Sequence, residues 1–145
     1  HLVAYTHGAR AQDYEHEDRF KGDGQRRGLL DAEVKRLLTG GGLMCISLAR
    51  PAVQSVDHFM TVLEEIWSKN YTFYQNGVKV PARIAIGTDF GGVAPEWILE
   101  GLSNPKETAA TLQKRMTERG FSQTNIDDVL RLNAVEYFKR VLSKT

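Results

Sequence analysis

The sequence predicts an α/β fold built from parallel strands and helical crossovers. Short β-rich apolar runs occur at Leu2–Thr6, Leu43–Leu48 and Arg83–Phe90, amphipathic helical patterns separate them, and no internal repeat is present. Strands alternating with helices imply parallel pairing through right-handed connections. At 145 residues the chain is about one domain, on a prior of roughly 100–200 residues each. Three such strands fit a small open sheet. They fit equally the end of a (β/α)8 barrel, which normally takes about 250 residues, and topology alone leaves both open.

The elements follow in order. Leu2–Thr6 reads as a buried strand ending at His7, and residues 8–28 as a long, Gly-rich, charged loop. Connections of that length are usually functional or disordered. A helix starts near Asp31, a good N-cap, with Val34, Leu37 and Leu38 on one face, and Gly40-Gly41-Gly42 stops it by allowing left-handed backbone. After the Leu43–Leu48 strand, Ser55 caps a helix whose apolar positions Val56, Phe59, Met60, Leu63, Ile66 and Trp67 share a face. Asn76-Gly77, among aromatics, marks a small hairpin within 69–81. Arg83–Phe90 is the third strand. Asn104-Pro105-Lys106-Glu107 combines a capping residue, Pro at the first helical position and Glu at the third. That helix ends at Gly120. Ser122 opens another carrying Ile126, Val129 and Leu130, and a final helix is expected to bury Val135, Phe138, Val141 and Leu142. Residues 104–145 thus form a helical C-terminal section of one domain, 1–145.

Composition narrows the function. Nineteen Lys+Arg against eighteen Asp+Glu leave +1, which predicts neither a nucleic-acid stripe nor a funnel for acidic substrates. No apolar run approaches the ~18 residues of a membrane span. Cys45 is the sole cysteine, so neither an intrachain disulfide nor a cysteine zinc site can form; within an apolar run it reads as a buried, inert thiol. No signal-peptide pattern is visible, yet the chain opens without an initiator Met, so a targeting segment can have preceded it. The compartment stays open, with cytoplasm or periplasm expected ahead of a membrane anchor. A homodimer stays open as well.

In parallel α/β architectures chemistry collects at the carboxyl ends of strands. The first strand ends in His7 and the third in Asp89. An imidazole and a carboxylate on one rim are what a hydrolase needs to bind Zn²⁺ and acidify a water, though a zinc site usually takes at least three protein ligands. The alternative is that His7 caps a strand and Asp89 the following turn. His58 beside Asp57 reads as solvated or structural, as does His16 among Glu15, Glu17 and Asp18. Gly87–Gly92 lacks the glycine spacing of a dinucleotide site, and Trp67 and Trp97 read as packing residues.

Four segments, in order, resemble the renal (membrane) dipeptidase family. Thr6-His7-Gly8-Ala9-Arg10-Ala11 is similar to its Ser-His-Ser/Asn-x-Arg-Ala segment, and Arg27-Gly28-Leu29-Leu30-Asp31 to its Arg-Asn-Leu-Thr-Asp. Ile86-Gly87-Thr88-Asp89-Phe90-Gly91-Gly92 resembles its Gly-Ser-Asp-Phe-Asp-Gly strand end. Arg119-Gly120-Phe121-Ser122, with Ile126, Val129-Leu130 and Asn133, is similar to its tail. The resemblance implies an amidohydrolase-like (β/α)8 barrel, of which this chain supplies about strands six to eight, and a site with two zinc ions. His7 would be the strand-six ligand of one zinc. Asp89 would be the strand-eight ligand of the other, and would also handle the proton of the attacking water. Arg27 would hold the carboxylate of a dipeptide-like substrate, a task suited to its guanidinium fork; a second alignment, on His16-Glu17-Asp18-Arg19, gives that role to Arg19.

The chain also departs from the family. The loop between His7 and Arg27 is longer, Gly28 stands in place of the Asn, and Gly91 in place of the second Asp. The family's His-x-Asp pair, bridging glutamate and other zinc histidine lie earlier in its sequence. The expectation is therefore a partial site, completed by the first barrel half from the same or a separate chain, and inactive in isolation. The two rival readings are another amidohydrolase and a catalytically silent interaction module.

Overall fold

A computed structural model describes residues 3–16, 28–50, 52–88, 94–102 and 104–143, excluding the side chains of residue 7, residues 14–16 and residue 95. Three strands, β1 (Ala4–Gly8), β2 (Leu43–Ser47) and β5 (Arg83–Gly87), form a sheet in the order β1-β2-β5, and both pairings are parallel. The strand–helix alternation anticipated this arrangement. β3 (Thr72–Gln75) and β4 (Val78–Pro81) form the separate antiparallel hairpin, turning at Asn76 (φ 51°) and Gly77 (φ 77°). Positive φ at both turn residues is the geometry that Asn-Gly supplies.

Helix α1 (Asp31–Thr39) precedes β2, and α2 (Val56–Ser68) follows it. Helix α3 (Pro105–Glu118) leads into a nearly continuous run: α4 (Gln123–Asp127), a π-helical turn (Asp128–Leu132) and α5 (Asn133–Leu142). Ser55 accepts from the backbone N–H of His58 and Asn104 from that of Glu107, as their sequence positions imply. The start of α1 differs from expectation. Leu30 is the N-cap, and the Glu33 carboxylate accepts from its N–H at 2.8 Å. Asp31 sits in the first turn instead, where its charge favours the helix dipole.

β2 is buried along its whole length because both faces of the sheet are covered. Met44 and Ile46 join the larger core with Phe59, Leu63, Leu112 and Met116, whereas Leu43 and Cys45 face Ala85 and Tyr137 in a smaller cluster. The terminal helical run serves both. Ile126 and Val129 belong to the larger core; Tyr137, with Ala134 and Val141 against it, belongs to the smaller one. The run therefore passes across the β5 edge of the sheet, and Asn133 sits at the crossing. Its side-chain amide donates to the Ile84 carbonyl at 2.9 Å. Gly87 O, three residues on, accepts from Leu48 of the β2 side at 2.9 Å. Alternation along the strand then turns the Ile84 carbonyl to the edge away from β2, and Asn133 satisfies it there.

The last helix corrects one expectation. Val135, Phe138 and Leu142 are 40%, 48% and 70% exposed, and Tyr137 is the side chain that is buried. The stripe facing the sheet is rotated by about one residue from the predicted one, because Asn133 and Tyr137, four apart, set the contact line. Among the described residues no helix is long and apolar enough to cross a membrane.

Candidate functional site

The carboxyl ends of the three strands form one rim. β1 reaches it through His7 and Gly8, and β5 through Gly87, beyond which the described chain stops at Thr88, immediately before Asp89. Two inter-strand steps separate β1 from β5, roughly 10 Å at the usual spacing. The sheet thus brings the backbone of His7 and the strand leading to Asp89 to the same end. Asp89, Arg27 and Arg19 lie outside the described residues, as does the His7 side chain.

Backbone register around His7 is irregular. Tyr5 pairs with Met44 and Gly8 with Ile46, so three steps on β1 match two on β2. One extra residue is accommodated in the segment holding Thr6 and His7. Bulges of this kind re-aim side chains and are over-represented next to active sites. The shift also explains Gly8, because a Cβ there would run into the Tyr5 ring.

Beyond Gly8 the chain is anchored. Ala9 is fully buried, and Arg10 and Asp13 are 7% and 4% exposed. Asp13 accepts from Arg10 three times: from the backbone N–H at 3.0 Å, from Nε at 3.1 Å and from Nη2 at 2.8 Å. Glu65 of α2 accepts from the same Nη2 at 2.6 Å. Burial alone would lower the Arg10 pKa, but the bonds to Asp13 and Glu65 outweigh it, and the net effect is a rise. The first part of this long charged loop forms a 3₁₀ turn (Ala11–His16), which Asp13 ties through Arg10 to Glu65 of α2.

The far end of the same loop returns to its beginning. Ala11 N donates to Leu29 O at 2.8 Å, and Leu29 N to Ala9 O at 3.1 Å, a short parallel bridge. Gly28 is packed so tightly that a Cβ would meet the backbone of Ala11. Position 28 thus requires glycine for a steric reason. The closure also brings the chain next to Arg27 back to the rim, a few residues past His7. β2 ends in similar ties: Ala49 bridges Ile98, Arg50 N donates to Trp97 O at 2.9 Å, and the Ser47 hydroxyl accepts from Ala49 N at 3.1 Å.

Elsewhere the single cysteine fits its reading as inert. Cys45 is buried, and burial pushes its thiol up to about 11. His58 Nδ1 accepts from Gln54 N at 3.2 Å, a structural role at the start of α2. Trp67 packs edge-on to Phe121, centroids 5.7 Å apart. Among the described residues no three His, Cys, Asp or Glu side chains are grouped to hold a metal; His7 and Asp89 as donors therefore rest on residue chemistry and strand position. Sequence reasoning missed the Arg10–Asp13–Glu65 cluster, although the i, i+3 spacing of Arg10 and Asp13 was a usable signal. It also missed the edge contact of Asn133. Comparison of the chain with family models, curated proteins and solved structures finds no match.

Proposed function

We propose that this chain is the C-terminal part of a zinc-dependent, dipeptidase-like (β/α)8 barrel that hydrolyses dipeptides or similar amides. The observation that carries the reading is the sheet itself. The strands ending in the His7 and Asp89 motifs are parallel, flank β2 and run to one rim, as strands six and eight of such a barrel would. The return of Gly28 to Ala11 supports Arg27 over Arg19 as the residue near that rim. An apolar cleft of about 410 Å³ beside β1, lined in part by Val3, Tyr5, Leu29 and Leu37, suits the packing of a preceding β/α unit.

In this reading His7 and Asp89 contribute an imidazole nitrogen and a carboxylate oxygen, donors that suit zinc, and the remaining ligands come from the first barrel half. Zinc, when bound, supplies Lewis acidity toward the substrate carbonyl and toward water. Arg27 grips the substrate's terminal carboxylate with two parallel N–H donors, fixing the scissile bond in place. Asp89 takes up the proton released by the attacking water.

The test is hydrolysis of a simple dipeptide, with metal analysis, on the chain joined or mixed with its complementary half. Asp89→Ala should abolish activity. Arg27→Lys should lower kcat/KM for free dipeptides much more than for C-terminally amidated ones. An unchanged ratio removes Arg27 as the clamp and directs the same test to Arg19. Absence of both zinc and hydrolysis in the complete protein sinks the reading.

One contact favours a second reading, a catalytically silent interaction module. Asn133 occupies the β5 edge, which barrel closure would need for pairing with a first strand. Near-stoichiometric zinc together with dipeptide turnover would exclude this alternative.

A further inference from the structure

At the opposite end of the sheet from His7, two arginines share one aromatic ring. Arg83 opens β5 and is 6% exposed. Its guanidinium carbon lies 4.5 Å from the centroid of the Phe73 ring, and that of Arg140, from the last turns of α5, lies 5.4 Å from the same centroid. Nη2 of Arg83 donates to Oε1 of Gln75 at 2.5 Å. Nη1 of each arginine is buried and has no hydrogen-bond partner among the described residues. Native proteins rarely leave a buried charged donor unpaired, because its lost hydration goes uncompensated.

The electrostatics point the same way. Burial lowers the pKa of Arg83, repulsion from Arg140 lowers it further, and Glu136 opposes them. Among the described residues, two cations with one carboxylate in range leave uncompensated positive charge at a poorly hydrated spot. The Phe73 ring face attracts both guanidiniums but cannot accept their in-plane N–H bonds.

Beside them is a cleft of about 360 Å³, lined by Tyr74, Gln75, Asn76, Arg140 and Ser143. All five of these side chains carry amide, guanidinium or hydroxyl hydrogen-bonding groups, and none is a carboxylate. Gln75 connects the cleft to Arg83, which it already binds. Asn76 is held at the hairpin tip by its left-handed backbone, φ 51°. Arg140 is half-buried and forms part of the cleft wall.

We propose that Arg83 and Arg140, with Gln75 and Ser143, form an oxyanion-binding site at the amino end of the sheet, taking a phosphate or carboxylate group of a small molecule. An oxyanion offers only acceptors, and a planar guanidinium fork matches it two bonds at a time. The proposal is independent of the dipeptidase reading, whose residues lie at the other rim.

The probe is inorganic phosphate, titrated into the full chain at constant ionic strength against chloride, with binding followed by calorimetry and thermal unfolding. Wild type should show a saturable rise in Tm beyond the chloride control. Arg140→Gln should bind phosphate at least tenfold more weakly, and Lys114→Gln, whose side chain is 77% exposed on α3, should bind like wild type. In chloride alone, Arg140→Gln should unfold no earlier than wild type, since it relieves Arg83 of a like charge; a merely structural arginine would give a lower Tm. A parallel acetate titration separates the ligand chemistries: tighter phosphate marks a phosphate site, tighter acetate a carboxylate site, and each supports the assignment. No saturable response to either anion, or an equal response in Arg140→Gln, overturns it.

Discussion

Asp13→Asn should be among the most destabilising polar substitutions in this chain, because it removes the charge that neutralises a buried guanidinium. Asp13 accepts three hydrogen bonds from Arg10, at 3.0, 3.1 and 2.8 Å, and is 4% exposed. Asparagine keeps one oxygen, but turns an amide N–H₂ toward the guanidinium where the second oxygen stood. Removing one partner of a buried pair costs about 3–5 kcal/mol. The lower end applies here, because Glu65 still accepts from Arg10 and its side chain is 50% exposed. A loss of about 3 kcal/mol lowers Tm by roughly 6–12 °C in a chain of this size. Urea unfolding, with an unchanged m-value, measures it. Glu65→Gln serves as the contrast: half in water, it should cost about 1 kcal/mol or less. Replacing both buried partners together, Arg10→Met with Asp13→Leu, should cost less than Asp13→Asn alone, since no charge is stranded. A loss below about 1 kcal/mol for Asp13→Asn, against the range expected for a buried pair, would show that water reaches the cluster, and the anchoring argument for this rim would fail.

Three further outcomes follow from the packing. Gly8→Ala should cost about 1–3 kcal/mol through overpacking against Tyr5, and adding Tyr5→Ser should recover part of it; additive losses in urea would refute the steric account. Cys45, with its thiol raised by burial to about 11 from 9.0, contributes stability that is fully present below pH 9 and lost as pH climbs toward 11. The loss is about 3 kcal/mol at most; Cys45→Ala should flatten that part of the stability–pH curve, and an unaltered slope would contradict it. Asn133→Ala should free the α5 end of the helical run and expose Cys45 beneath it. Thiol labelling near neutral pH should then accelerate at least tenfold, whereas an unchanged labelling rate would show that Asn133 does not hold the helix in place.

Local chemistry made most of the fold legible. The caps at Ser55 and Asn104, the Asn76-Gly77 turn and the apolar runs at β2 and β5 each state their structure within a few residues. The parallel order of the strands followed from their separation by helices. What stayed hidden depends on partners distant in sequence. Leu30 displaced Asp31 as the cap because Glu33 reached back to it, and the apolar stripe of α5 was misplaced because Asn133 meets a strand 49 residues away. At the rim, His7 and Asp89 were readable as residue types at strand ends, and the structure adds the sheet that aligns their strands. The Arg10 cluster escaped because a charged pair in a Gly-rich loop looks solvated until α2 brings Glu65 beside it. Arg83 was the most readable of the missed residues: a cation opening a buried strand already asks for a counter-charge.

Asn133's hold on Ile84 sets a timetable for anything that adds to that side of the sheet. An incoming strand finds its hydrogen-bonding edge already taken, so joining must wait for the terminal helix to unlatch. The joining rate would then level off with increasing partner concentration, at the speed of unlatching, instead of climbing in proportion. The same delay shields isolated copies from stacking edge to edge during synthesis, when stray strands are most dangerous. One amide side chain thus acts as a timer for any strand that adds at this edge.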